Sequence, residues 1–328
     1  MHPFTLTQAQ DNNAVVNALT SNNKSRLIAG GTNILDLMKM YVESPEQLID
    51  INALDLRKIE ALPNGGIRIG ALVSNTDLAY HPVVMKQYPV LSQALLSGAS
   101  AQLRNMATTG GNLMQRTRCP YFYNATFPCN KREPGSGCSA IPGYNRMHAI
   151  LGTSDKCIAL HPSDMCIALV ALDAIIHVQG SKGERSIPVQ QFHLLPGDTP
   201  HIETVLRHDE LITAVELPSM PFAARSHYLK VRDRASYEFA LTSAAVALDV
   251  SNGTIRSARV ALGGVGTKPW RASAAEKVLT GAKSTDETYK TASDAALEEA
   301  KAFKYNAFKI ELAKRTIVRA LTTAGGML

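Results

Sequence analysis

No run of this sequence is apolar for the ~18 residues that a bilayer-spanning helix needs, so no membrane span is expected. Met1-His2-Pro3-Phe4 leads into a polar stretch without the apolar segment of a secretory signal. Aromatic residues are only 6% of the chain, with a single tryptophan, and lysine and arginine are scattered rather than gathered into a stripe. The net charge of +6 therefore points to a surface that offsets anionic cofactors or partners, and no nucleic-acid binding is expected. Internal repeats are absent. So are the six-residue dinucleotide fingerprint and the Gly-Lys-Ser/Thr of a Walker A loop. No nucleophile pair of the His/Asp or Cys/His kind stands out, which fits a chain that places cofactors rather than one that supplies an acid or base. Cysteine is scarce: five in 328 residues, an odd number, all between Cys119 and Cys166.

That cysteine stretch is the most informative part of the chain. Cys-Pro-Tyr-Phe-Tyr, Pro-Cys-Asn-Lys-Arg and Pro-Gly-Ser-Gly-Cys are too rich in proline, glycine and asparagine for a regular element. A long loop inside a compact domain is usually functional or disordered. Three chemistries compete for its thiols. Disulfides are disfavoured by the odd count and the missing signal. Zinc sites usually pair their cysteines two to four residues apart, whereas here nine, eight and eighteen residues intervene. A four-thiolate iron–sulfur cluster fits best, although the spacing is not that of ferredoxins. Arg116, Arg118, Lys131, Arg132 and Arg146 would offset its negative charge, and Tyr121, Phe122 and Tyr123 would shield it, ordinary packing being the alternative for each ring. Cys166 sits in the apolar run Met165–Val170 and reads as a small buried hydrophobe. The ligand set is thus Cys119, Cys129, Cys138 and Cys157.

Two glycine turns flank this reading. Arg26–Ala29 reads as a strand running into Gly30-Gly31-Thr32-Asn33 and then a helical segment, Ile34–Tyr41. Strand, glycine turn and helix start can bring backbone N–H groups to a phosphate, although a lone Gly-Gly-Thr is more often just a turn. Thr108-Thr109-Gly110-Gly111-Asn112 forms the second turn, and two such turns suit a diphosphate better than one. Elsewhere the pattern predicts helices over 11–20, capped by Asp11, and over 90–98. Hairpins are predicted at 58–72 and 173–189, and strands over 48–51 and 210–217. Ser163 or Asp164 is the natural cap of the helix that follows, a purely structural role for Asp164. Pro218-Ser219-Met220-Pro221 marks a domain boundary between 1–220 and 221–328. The second part reads as three antiparallel strands (227–231, 240–250, 255–263) with helices over 272–279, 286–303 and 305–321 on one face, giving an α+β fold.

Ala29-Gly30-Gly31-Thr32-Asn33, Thr108-Thr109-Gly110-Gly111-Asn112, Ser163-Asp164 and the Tyr228-Leu229-Lys230-Val231-Arg232 strand together resemble the FAD-binding medium subunits of the xanthine dehydrogenase family of molybdenum hydroxylases, over essentially the whole chain. The cysteine loop, at about 115–160, makes the closest likeness the cluster-bearing FAD subunits of bacterial periplasmic aldehyde oxidoreductases. The 4-hydroxybenzoyl-CoA reductase type is the alternative, and a zinc-stabilised binding module is the non-enzyme one. The resemblance implies a two-part FAD domain (of the PCMH type) with the cluster loop inserted, followed by the family's C-terminal domain. It implies that residues 29–33 and 108–112 hold the FAD pyrophosphate, that Asp164 helps bind FAD, and that Lys230 and Leu211 (or Ile212) lie by the flavin ring. The four cysteines would bind a [4Fe–4S] cluster. It also implies an electron-transfer subunit of a heterotrimer, with a large molybdenum-cofactor subunit, a small [2Fe–2S] subunit and an external electron acceptor. The complex would be periplasmic if exported with a signal-bearing partner, and otherwise cytoplasmic.

Overall fold

The computed structural model describes residues 1–326. Its first layer is a parallel sheet in the order Thr5–Gln8, Gln47–Asp50, Ser25–Ile28. Parallel neighbours need crossovers, and the helices Asn12–Ser21 and Ile34–Lys39 lie in the two connections. Asp11 caps the first of these helices as expected, accepting the Ala14 N–H at 2.8 Å. Val15 and Leu19 on its buried face pack with Ile49, Ile51 and Leu54. The strand Thr5–Gln8 has no counterpart in the sequence reading. All four of its residues are exposed, so it carries no alternation of buried and open positions to read.

The second layer is a five-stranded antiparallel sheet, ordered Ile59–Ala61, Ile67–Gly70, Leu211–Leu217, Ile175–Gly180, Gly183–Pro188. It contains both predicted hairpins. The helices Pro89–Ser97 and Asp164–Ala171 share its core, burying Val90, Leu91, Ala94 and Leu95 from one and every residue from Met165 to Ala171 from the other. Ser163 caps the second helix by accepting the Cys166 N–H at 3.0 Å.

The C-terminal layer is an antiparallel sheet in the order Trp270–Arg271, Thr254–Gly263, Thr242–Ser251, Ser226–Val231. The expected three strands are present, and the two-residue strand Trp270–Arg271 adds a fourth at the edge. The helices Ser273–Leu279, Asp286–Ala296 and Phe308–Gly325 complete its core. The helix expected over 286–303 stops at Ala296 because the chain beyond it binds the cysteine loop. There the Lys301 N–H reaches the Ile150 carbonyl at 2.7 Å, and Asn306 turns back to accept the Phe303 N–H at 2.7 Å.

The cysteine loop holds one short helix, Pro120–Tyr123, and is otherwise built from turns. It bridges the two halves of the chain. Ile150 and Leu151 are part of the C-terminal core, and their N–H groups both reach the Val265 carbonyl, at 2.8 and 3.0 Å. Asp173 makes a second bridge. Its carboxylate accepts from Arg259 and from Arg271, each at 2.7 Å, joining the end of the helix Asp164–Ala171 to the C-terminal sheet. Burial raises the pKa of this carboxyl, but the two guanidinium groups outweigh it and hold the group below the ordinary range. A depressed native pKa gives stability that is complete above the unfolded-chain value of about 3.9 and is lost as pH falls through the native value. Asp173→Asn is therefore expected to lower stability by about 1–3 kcal/mol at neutral pH. In urea melts the gap to wild type closes in acid; a gap that persisted there would refute the ionic account.

Candidate functional site

The two glycine turns meet. A Cβ placed on Gly30 would lie 1.7 Å from the Met106 carbonyl oxygen, so the backbone of the first turn rests directly on the chain entering the second. Gly31 has φ +72°, a conformation that a side chain would strain. Together the turns line one cavity of about 830 Å³, inside the range of small-molecule and cofactor sites. Ala29, Gly30, Gly31, Thr32, Asn33, Thr108, Gly110, Gly111 and Leu211 all face it.

The turns are not equivalent, and this corrects the picture of two matching nests. In the first, the N–H groups of Gly30, Gly31, Thr32 and Asn33 have no acceptor among the described residues. Four unpartnered donors in a cavity wall suit an anionic oxygen cluster such as a pyrophosphate. In the second, the segment is a one-turn helix, Thr109–Leu113, capped by Thr108. Its N–H groups are already taken: Thr109 by the Val73 carbonyl, Gly110 by that of Ala71, Gly111 by the Thr108 hydroxyl and Asn112 by the Thr108 carbonyl. The second turn supplies surface and close approach more than free donors. Thr109 is fully buried behind it, and the Asn112 Oδ1 accepts from the Ser163 hydroxyl at 2.6 Å, so neither of these two lines the cavity.

Asp164 and Lys230 lie outside the cavity wall as well. The Lys230 Nζ sits 2.7 Å from Asp164 Oδ2, and Asp164 Oδ1 accepts from the Tyr228 hydroxyl at 2.6 Å. The pair is nearly buried and ties the helix start at 164 to the strand Ser226–Val231. In this arrangement they hold the two halves together.

Next to the large cavity is a small apolar one lined by Cys119, Cys129, Cys138 and Cys157, with Tyr121 and Phe122 over it. Cys157, Lys131 and Ala159 face both cavities. Cys129 and Cys138 form an antiparallel bridge, which fixes two of the thiols across from each other. Burial pushes the Cys119 thiol up to about 12 and the Cys157 thiol up to about 11, with Lys131 opposing the second shift. At neutral pH both thiols therefore keep their protons in the metal-free chain, and metal binding would displace them. Zn–S bonds of about 2.3 Å put the sulfurs of a tetrahedral zinc site about 3.8 Å apart. Among the described residues, no three of these four sulfurs come within 4.8 Å of one another. The four thiols line one space, at a spacing wider than a tetrahedral zinc site has.

Of the five basic residues expected to offset the cluster, only Lys131 faces it. Arg116 is held by Glu43 and Glu203, each at 2.6 Å, and stacks on Phe122. Arg132 ties the loop through the carbonyls of Tyr121 and Phe122, Arg118 approaches Asp36 at 3.4 Å, and Arg146 pairs with Asp233. Cys166 is fully buried and stands apart, grouped with His161 and His193 within 4.8 Å. The two histidines of this trio also contact the backbone and each other. The Ser163 N–H points at His161 Nδ1, which places the ring proton on Nε2, and His193 Nε2 lies 3.0 Å from the Leu113 carbonyl. The two Nε2 atoms face each other at 3.2 Å, so only one of them can hold the proton of that contact. The sequence offered no sign of this pair, whose contact spans 32 residues.

Comparison with known proteins agrees with this geometry. Residues 2–220 match the FAD binding domain in molybdopterin dehydrogenase, and residues 227–324 match the CO dehydrogenase flavoprotein C-terminal domain. The chain is 53% identical over 302 residues to the aldehyde oxidoreductase FAD-binding subunit PaoB of Escherichia coli, covering 92% of this chain and 91% of that one. It is 26% identical to the carbon monoxide dehydrogenase medium chain of Hydrogenophaga pseudoflava over 305 residues, 92% of this chain and 89% of that one. A solved structure of carbon monoxide dehydrogenase from the same organism superposes with a TM-score of 0.77 at 27% identity, covering 99% of this chain and 98% of the other.

Proposed function

Because this chain belongs to the FAD-binding medium subunits of the xanthine dehydrogenase and CO dehydrogenase family of molybdenum hydroxylases, we propose that it serves a molybdenum-dependent aldehyde oxidoreductase as the subunit that carries both FAD and a [4Fe–4S] cluster. FAD and the cluster, when bound, supply electron storage and one-electron transfer. The electrons would come from an aldehyde oxidised in a large partner subunit, by way of [2Fe–2S] clusters in a small one, and leave for an external acceptor. The aldehyde assignment draws on the 53% identity to the E. coli aldehyde oxidoreductase subunit.

This chain's own residues place and separate the two groups. Gly30 to Asn33 offer their free N–H groups to the pyrophosphate, and Thr108, Gly110 and Gly111 close the opposite wall. Cys119, Cys129, Cys138 and Cys157 would ligate the cluster, and Phe122, buried in the small cavity's wall, excludes water from it. One observation carries the reading. Four thiols surround a cavity that shares Cys157 with the flavin cavity, at a spacing too wide for zinc.

The test is the metal and flavin content of the complex, purified without oxygen from cells that also express its partners. Flavin together with about four irons beyond the partners' complement is the expected result. Zinc in place of that iron, or flavin with no extra metal, would return the loop to a structural role.

A further inference from the structure

Backbone N–H groups approach the ligand sulfurs, and a side chain from outside the ligand set, His148, does so too. His148 Nε2 lies 3.2 Å from the Cys119 sulfur, in a buried contact that spans 29 residues of chain. The ring is 3% exposed, and its other nitrogen, Nδ1, has no partner among the described residues. A histidine kept for packing alone normally satisfies both nitrogens when buried. This one directs its single engaged nitrogen at a sulfur.

The ring is also held in place. The His148 N–H donates to the Asn145 carbonyl at 3.0 Å. Its own carbonyl accepts from Lys309 Nζ at 3.1 Å and from Asn306 Nδ2 at 3.3 Å. Lys309 is itself fully buried, at the start of the helix Phe308–Gly325, so the C-terminal domain fixes the backbone that aims the imidazole at Cys119. In the metal-free chain the thiol can donate to the ring. A metal-bound thiolate has no proton and only accepts, so the contact must then run from the ring N–H to the sulfur.

We propose that His148 is a positioning residue for the cluster, donating its Nε2–H to the Cys119 thiolate and thereby raising the cluster's reduction potential. This rests on the cluster reading given above. The sign follows from charge. Reduction adds an electron to an already anionic centre, and a donor aimed at a ligand sulfur stabilises that added charge more than it stabilises the oxidised state. Removing the donor leaves the reduced state less favoured, and the potential falls.

The experiment is an EPR-monitored redox titration of the purified holo-complex, for wild type, His148→Gln and His148→Phe, with iron and flavin measured on each sample. The expected result is unchanged iron and flavin, a cluster midpoint shifted to more negative potential in His148→Phe, and recovery of most of that shift in His148→Gln, which keeps an N–H donor. Equal midpoints in wild type and His148→Phe, with iron retained, would overturn the proposal. If the Phe variant does not take up iron, wild type carrying ¹⁵N-histidine decides. A ¹⁵N coupling to the reduced cluster supports the hydrogen bond, and its absence refutes it. Wild type without the extra iron would instead sink the cluster reading, and this inference with it.

Discussion

Cys129→Ala is expected to remove about four irons and the brown absorption of the cluster, whereas Cys166→Ala leaves both in place. Both cysteines are buried, Cys129 at 9% exposure and Cys166 at 0%, so burial alone does not mark out a ligand. Position does. Cys129 lines the small cavity, is bridged across to Cys138, and neighbours Cys119 and Cys157 closely enough to influence both thiols. Cys166 lies within the helix Asp164–Ala171, packed in the main core, and does not face that cavity. Truncating Cys166 removes one sulfur from a packed helix, a modest stability loss of about 1 kcal/mol. Truncating Cys129 would leave the proposed cluster with three protein ligands in an apolar wall. Colorimetric iron and the visible spectrum of the two purified variants check this directly. Equal iron loss in both would mean that the ligand set is wrong and that Cys166 belongs to it.

Local chemistry made parts of this molecule legible in its sequence. Asp11 ahead of an apolar-periodic stretch, Ser163 ahead of Met165–Val170, and Asn64-Gly65-Gly66 between two apolar runs each mark an element boundary by a mechanism within a few residues, and each boundary falls where expected. The cysteine loop announced itself by composition. Features set by long-range contact were not legible. The 286–303 helix keeps its helical residues past Ala296, yet the Lys301 N–H is drawn to Ile150, far away in sequence. Asp164 and Lys230 carried no sign that they would pair with each other rather than face the cofactor cavity, because that choice depends on where the strand Ser226–Val231 docks. The second glycine turn looked like a copy of the first. Only the fold shows that Val73 and Ala71 take up its N–H groups. His148, in Met147-His148-Ala149, gave no local signal either, since its partner sulfur belongs to the far end of the loop.

Gly30→Ala is the second substitution with a large expected effect, and it separates the flavin cavity from the thiol cavity. Its new methyl would lie 1.7 Å from the Met106 carbonyl oxygen, against backbone rather than a side chain that could swing away. The two turns must part to admit it. Overpacking of this kind costs about 1–3 kcal/mol. The displaced segment lines the cavity and carries four N–H groups without an acceptor among the described residues, so the cost falls on the flavin-competent arrangement. Converted to affinity, that is a weakening of flavin retention of about tenfold to a hundredfold. Gly110→Ala provides the graded comparison. There the methyl meets Ala71 Cβ at 3.2 Å and the Ala71 carbonyl oxygen at 3.3 Å, contacts that a shift of a few tenths of an ångström relieves, and most of the flavin should remain. The ratio of flavin to protein absorbance after desalting, with a thermal melt, reads both effects. Full flavin in Gly30→Ala would show that the first turn does not hold the cofactor. Iron should stay in both variants, because all four thiols belong to the loop that follows these turns and the loop is anchored independently, through Ile150 and Leu151, to the C-terminal core. Loss of iron along with flavin would mean that the shared wall of Cys157, Lys131 and Ala159 couples the two cavities, and that one cofactor cannot be held without the other.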